Sequence, residues 1–507
     1  MAFAAVAVGA LITSCAVGPN FKKPTVPAGA TNGYAPTPFS STSSTTNIAG
    51  GEAQHFNTNL DIPFDWWKAF ECPELNSLVE KALRANPTIE AARASLRQAQ
   101  ELTYAQQGGY YPTIGGDYNV ERQELAGNLG GNSPGVQGNG SVISTYQNPN
   151  GQPFNAPVYY TFHTAEVTVG YTVDVFGENR RQVESLEAQA AMQRYELDAA
   201  YITLESSVVG AAIQEASTRD QIAATEKIIS ASSRALDALK HQRKSGYVSD
   251  MDVAAQEVTL AQIQQTLPPL QKQLEQIRDL IRALAGNMPG QDVPETFQLS
   301  SLHLPQDLPL SVPSAIIKQR PDVRAAEETM RSANAQIGAA IANRLPQFTI
   351  SGAYGGAASQ FGQMFSSGGP FWNITGDVAQ TIFAGGTLMH RQRAAKQAMI
   401  QSAAQYRSTV LGAFQNVADT LHALVADADA LKAASATEQA AKTSFDITTR
   451  QYQVGYANYL ALLISEQAYT QAVIAVVQAR ANRYADTAAL FQALGGGWWN
   501  RADLAKK

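Results

Sequence analysis

Cysteine is nearly absent from this chain: Cys15 and Cys72 are the only two in 507 residues. Charge is scarce as well. Asp, Glu, Lys and Arg make up 16% of the chain, against about 25% in ordinary globular proteins. Ala, Gln, Ser, Thr and Gly take their place, a composition suited to helix–helix packing and a wet interior. The net charge of −6 lacks the basic footprint that nucleic acid requires. The six histidines (His55, His163, His241, His303, His390 and His422) form no metal-spaced cluster. There is no His-Glu-x-x-His, no paired-cysteine zinc motif, no nucleophile elbow and no phosphate-binding loop ending in Gly-Lys-Ser/Thr. The expectation is therefore no catalysis, no metal and no cofactor. No run is apolar for long enough to be a mature transmembrane helix. Proline is missing between Pro157 and Pro268 and again after Pro370, which leaves room for very long helices.

What is present begins with an export signal. Residues 2–12 are an apolar run, followed by Thr13-Ser14-Cys15. A branched apolar residue at −3 (Ile12), two small residues and then Cys is the pattern of a bacterial lipobox. No Lys or Arg precedes Lys22, so the given start is expected to fall within the signal. Cys15 is the expected lipidation site, each buried methylene of its acyl chains contributing ~0.8 kcal/mol. Ala16 rather than Asp follows it, which by the usual sorting rule directs the chain to the outer membrane. That leaves Cys72 with no partner for an internal disulfide, and a buried structural role is expected for it. Residues 16–60, rich in Pro, Ser, Thr, Gly and Asn, read as an extended arm.

The body of the chain says the same thing twice. Asn86-Pro87 opens an Ala/Gln/Arg helix pattern that ends at Tyr111-Pro112. Arg320-Pro321-Asp322 opens a similar pattern that ends at Leu345-Pro346. Both proline pairs are displaced by 234 positions (87 to 321, 112 to 346). Asn86 is expected to cap the helix that Pro87 starts, and Asp322 to complement the dipole of the second. After each terminal proline the residues alternate. Ile114, Gly116, Tyr118 and Val120 oppose Thr113, Gly115, Asp117 and Asn119; Phe348, Ile350 and Tyr354 oppose Thr349 and Ser351. The returning runs, Val167-to-Val173 and Trp372-to-Val378, do the same. Strands apolar on one face and small or polar on the other fit a membrane β-barrel. A half-buried strand of a soluble sheet alternates too, and the export signal favours the membrane. The hairpin connections differ, the excess lying in Gly127-to-Pro157, which reads as a long external loop.

Long helices follow. The stretch 178–243 at 1.5 Å per residue would span ~100 Å. Gly246 and Gly455 interrupt the helical runs, which return as 250–267 and 459–494, with Pro268-Pro269 expected to split the first return. These read as antiparallel helical hairpins. Four strands per chain cannot close a barrel, and an open edge in lipid leaves backbone groups unpaired at several kcal/mol each. Small barrels start at about eight strands, so two or three copies are the candidates.

Cys15-Ala16-Val17-Gly18-Pro19-Asn20-Phe21 resembles the mature N-terminus of outer-membrane efflux lipoproteins. Trp66-Trp67, Leu75-Asn76-Ser77-Leu78-Val79 and Ala85-Asn86-Pro87 follow the same resemblance. Its most specific part is Arg320-Pro321-Asp322-Val323-Arg324-Ala325-Ala326-Glu327, continuing to Ile337-Gly338 and Pro346. The chain thus resembles the TolC-like outer-membrane factors, of the OprM/NodT type. The resemblance implies a homotrimer with one 12-stranded barrel in outer-membrane lipid, continued by a 12-helix periplasmic α-barrel. It also implies a periplasmic adaptor and an inner-membrane pump of the resistance-nodulation-division class as partners. The implied function is a passive exit duct of a tripartite efflux system; the alternative within the same fold is the channel of a type I protein secretion system.

The same resemblance places the closure at the helical tips, at the turns Gly246 and Gly455. Asp252 matches an acidic lining residue, and Leu460, beside Tyr459, matches an apolar constriction. Asp250 adds to the expected negative ring, or else caps the returning helix; Leu460 is alternatively ordinary interhelical packing. The family's arginine at the place of Ala457 and acid at the place of Ile464 are missing, so an apolar constriction with an acidic ring is expected rather than an ion-pair latch. The expected organisation is a signal at 1–14, a lipidated arm at 15–60, a first repeat at 61–300, a second at 301–496 and a tail at 497–507.

Overall fold

A computed structural model describes residues 16–25, 33–34, 39–46, 48–125, 146–147, 153–154 and 158–501. Cys15 and most of the loop from Gly127 to Pro157 lie outside the described residues; within that loop the short strands β3 (Tyr146–Gln147) and β4 (Pro153–Phe154) pair antiparallel. The chain divides into two compact units. One comprises the residues up to Phe21 with Gln100–Ala188 and Arg331–Gln401; the other comprises Lys22–Ala99, Gln189–Met330 and the residues from Ser402 on. Each unit draws on both copies of the repeat.

The first unit is built on a four-stranded antiparallel sheet of β2 (Thr113–Leu125), β5 (Val158–Val173), β7 (Gln347–Ala358) and β8 (Pro370–Ala379), in that spatial order. Three of the strands exceed the 9–11 residues the alternation suggests, because it continues into the loops. The hairpins of the two copies are joined through β5 and β7, with Thr172 opposite Thr349 and Glu166 opposite Gly355. Among the described residues β2 and β8 each have a single neighbour, so both sheet borders are unpaired there. The register assigns the side chains to two faces. Ile114, Val167, Ile350, Tyr354, Trp372 and Ile374 share one face and are all exposed. Thr113, Asp117, Glu166, Thr349 and Asp377 share the other.

A strap of residues 16–21 fastens to this unit. The Val17 N–H donates to Phe176 O at 3.1 Å. Arg181, only 4% exposed, donates to Val17 O (3.1 Å), Gly18 O (3.3 Å) and Asn20 Oδ1 (2.9 Å). Asn334 Nδ2 donates to Pro19 O at 2.9 Å. Gly338 lets the strap lie close: a Cβ there would come within 2.8 Å of Val17 O.

The second unit holds the core. Trp66 and Trp67 are buried, and Trp66 stacks on Phe491 at 5.2 Å. Cys72 is buried and donates from Sγ to Glu74 Oε2 at 3.4 Å, a structural thiol. The arm is stitched to this core. β1 (His55–Asn57) pairs in parallel with β6 (Asp307–Pro309), and buried Arg483 donates to Gly50 O and Thr42 Oγ1 at 2.7 and 3.0 Å. At the junction of α1 (Pro73–Ala85) and α2 (Pro87–Gln107), Asn86 Oδ1 accepts from the Thr88 N–H at 2.8 Å, the cap the sequence predicts.

The long helices come in matched pairs. α3 (Glu178–Lys244) and α7 (Thr387–Gln453) have 67 residues each; α4 (Asp250–Leu284) and α8 (Tyr459–Ala493) have 35 each. Between them come α5 (Pro313–Gln319) and α6 (Pro321–Ala342). One expectation fails here. Pro268 and Pro269 do not split the return helix, which runs through both. They lie on its exposed surface, so water can satisfy the carbonyls that lose their N–H partners.

Candidate functional site at the helical tips

Both tips lie in the second unit and are made by the same device. Gly246 (φ +79°) and Gly455 (φ +83°) occupy the left-handed region, with open space where a Cβ would stand. Each ends its long helix with a pair of backbone bonds. Tyr247 N–H donates to Gln242 O (3.0 Å) and Gly246 N–H to Arg243 O (2.9 Å); Tyr456 N–H donates to Gln451 O (2.8 Å) and Gly455 N–H to Tyr452 O (3.1 Å). This is the Schellman arrangement, in which glycine avoids the Cβ strain of a left-handed residue.

The return helices start with side-chain caps. Ser249 and Asp252 form a capping box: Asp252 N–H donates to Ser249 Oγ (3.3 Å), and Ser249 N–H donates back to Asp252 Oδ2 (3.0 Å). Asp250 is therefore not the cap. It sits at the first helical position, where its charge suits the dipole, and pairs with Arg243. At the other tip Asn458 Oδ1 accepts from the Ala461 N–H at 2.9 Å.

The two tips are joined to each other. Leu236, Leu239, Val253, Tyr459 and Leu463 form a small apolar cluster separate from the main core. Tyr459, 6% exposed, donates its hydroxyl to Gln256 Oε1. Gln256 Nε2 in turn donates to Ser232 Oγ (2.7 Å) and Ser232 O (3.1 Å). Burial pushes the Tyr459 hydroxyl above the usual phenol range, so it remains a donor. Tyr452 meets Tyr459 edge-on at 5.7 Å and donates to Gln242 Oε1 at 3.2 Å.

Leu460 points elsewhere. It is 59% exposed, as is Ile464 one turn on, so within the chain the interhelical packing belongs to Tyr459 and Leu463 instead. Tyr247, Met251 and Tyr456 are also exposed. The structure thus gathers Asp250, Asp252, Tyr459 and Leu460 at one end of the helical hairpins, with Tyr459 buried, Asp252 engaged in a cap and Leu460 free. Sequence reading passed over Gln256, Ser232 and Arg243. The Ser-x-x-Asp box was legible in the text; the Tyr459–Gln256 pair, on helices far apart in sequence, left no signal.

Comparison with known proteins gives the fold a family. The model of the outer membrane efflux protein family matches residues 78–287 and 312–496, one stretch in each copy of the repeat. The pyoverdine export outer membrane protein OpmQ of Pseudomonas putida is 26% identical over 434 residues, covering 85% of this chain and 88% of that protein. The toluene efflux pump outer membrane protein TtgF of Pseudomonas putida is 26% identical, covering 98% and 97%. Among solved structures, the outer-membrane channel OprN superposes with a TM-score of 0.80 at 23% identity, covering 96% of this chain and 100% of that one. The Campylobacter jejuni CmeC outer membrane channel gives 0.79 at 19% identity, covering 97% of each. With a duplicated TolC-like fold and a family match across both copies, this chain belongs to the outer membrane efflux protein family.

Proposed function

We propose that three copies of this chain close into one tube through the outer membrane. In this reading the tube is the exit duct of a tripartite efflux system, fed by a periplasmic adaptor and an inner-membrane pump of the resistance-nodulation-division class. The observation that carries this reading is the four-stranded sheet with an exposed apolar face, a polar face and two unpaired borders. Unpaired borders are untenable in lipid, and pairing β8 of one copy with β2 of the next removes every one of them. The polar face then lines a water-filled passage, and the apolar face meets the acyl chains. Lipidation at Cys15 fits the strap, which fastens Ala16 against Gly177 at the end of the strand segment.

Conduction is passive, and the tips set the resistance. The cluster around Tyr459 holds the two hairpins of a chain together, while Leu460 and Ile464 are left to meet the other copies and narrow the passage. The test is conductance in planar bilayers. Leu460→Ala raises single-channel conductance or open probability if Leu460 forms the constriction; a wild-type profile places the narrowing elsewhere. A purified protein that remains a monomer without lipid affinity would sink the duct itself.

A further inference from the structure

Between Tyr459 and Ala479, helix α8 carries one formally charged residue, Glu466. It is 8% exposed. Among the described residues no donor or cation holds its carboxylate, and the one titratable group that faces it is the Tyr459 hydroxyl. A buried carboxylate without a counterion is costly and is kept only where something compensates it.

Glu466 lines a groove of about 360 Å³ formed by α3, α4 and α8. Ile228, Ile263 and Ile474 supply apolar wall, and Gln262, Gln467 and Gln471 add neutral amides. The hydroxyls of Thr225, Thr259 and Thr470 already donate to carbonyls of their own helices, at 2.8, 3.1 and 2.8 Å, so towards the groove they offer only acceptor lone pairs. No Lys, Arg or His lines it. A single carboxylate among neutral amides, hydroxyls and isoleucines gives a metal ion only one anionic ligand. It matches a charge at the end of an alkyl stem, the shape of a long basic side chain.

We propose that the Glu466 groove receives an arginine or lysine side chain presented by a partner protein. The inference rests on the reading of this chain as one component of a larger assembly, and it names the chemistry by which a partner grips the hairpins. Occupation pairs the carboxylate and ties α3, α4 and α8 to the partner at one point. Burial holds the Glu466 carboxyl above the usual carboxylate range, so it takes up a proton at a higher pH than an ordinary carboxylate, and protonation releases the cation.

The test uses the trimer in detergent with two small probes, butylguanidinium and its neutral isostere butylurea, followed by saturation-transfer NMR on the probe. The expected result is saturable binding of butylguanidinium that weakens at least about tenfold for Glu466→Gln and for butylurea on the wild type, and that weakens again as the pH is lowered. Absence of saturable binding, equal binding by Glu466→Gln, or equal binding of the two probes overturns the proposal. The butylurea arm needs no variant, so a folding defect of Glu466→Gln leaves the test intact. Probe binding without channel conductance would sink the duct and spare the groove; conductance without probe binding would do the reverse.

Discussion

Asp117 on β2 stands directly opposite Glu166 on β5. Opposed like charges weaken a strand pair by a fraction of a kcal/mol. The polar face nevertheless keeps both, adds Glu121 and Asp377, and carries no Lys or Arg among the described strand residues. In the proposed closed barrel these carboxylates would line the passage and favour cations. Asp117→Asn combined with Glu166→Gln should lower the cation-to-anion permeability ratio several-fold, read from reversal potentials in a salt gradient. It should leave thermal stability unchanged or slightly raised. An unaltered ratio would move the selecting charge to the helical tips.

The bond from Tyr459 to Gln256 ties the two hairpins inside one chain. Tyr459→Phe keeps the ring in the apolar cluster but leaves the Gln256 oxygen unpaired in a buried place, at about 1–3 kcal/mol. Faster hydrogen exchange should appear in the last turns of α3 and α7 and the first of α4 and α8, with the sheet unaffected. Conductance should rise along with it, because hairpins that separate widen the tip. Exchange protection equal to wild type would show the pair to be dispensable.

These two cases mark what the sequence could and could not disclose. The strand alternation, the 234-residue displacement of Pro87 and Pro112, and the glycines at 246 and 455 are local patterns, and each reappears in the fold where the text puts it. The matched pairs of 67 and 35 residues follow from that duplication. The tip was legible only in part. Gly246, Gly455 and the Ser249–Asp252 box are short-range devices, whereas burial of Tyr459 and exposure of Leu460 depend on which helix lies alongside. Pro268 and Pro269 misled because a proline's effect depends on whether water reaches the freed carbonyls, and that is a tertiary fact.

Glu205 gives the fold a pH dependence. It is 1% exposed, accepts from Trp66 Nε1 at 3.2 Å, and its Oε1 has no partner among the described residues. Burial raises its pKa from 4.5 to about 8. Between those values the native state binds the proton and the unfolded state does not, so stability falls as pH rises, by up to about 1.4 kcal/mol per pH unit. Glu205→Gln keeps an acceptor for Trp66 and removes the titration. Its melting temperature should exceed that of wild type at pH 8 and converge with it below pH 4.5. Parallel curves for the two proteins would refute the assignment.

Asp252 has two candidate roles, and two substitutions separate them. As a cap it closes the box with Ser249, and Asp252→Ala should cost about 0.5–2 kcal/mol of local helix stability, much as Ser249→Ala does. As part of an acidic ring it contributes charge, which Asp252→Asn removes while keeping an oxygen for the cap. If Asp252→Asn lowers cation preference and leaves hydrogen exchange at the start of α4 unchanged, the charge acts on passage. If only exchange responds, in Asp252→Ala and Ser249→Ala alike, the residue is structural.

The strap depends on two glycines and one arginine. A Cβ on Gly338 would meet Arg181 Cγ and Val17 O, both at 2.8 Å, and one on Gly18 would come within 2.6 Å of the Gly338 Cα. Gly18 also has φ +95°, which a side chain would strain. Gly338→Ala should push the strap away and cost about 1–3 kcal/mol, as overpacking does. Arg181→Met reaches the same end by a different route, since it removes the donors to Val17, Gly18 and Asn20 without adding bulk. Both variants should therefore expose residues 16–21 to limited proteolysis, with the protease-resistant body unchanged in size. Resistance of that segment in both would mean that neither the close approach nor the guanidinium holds it.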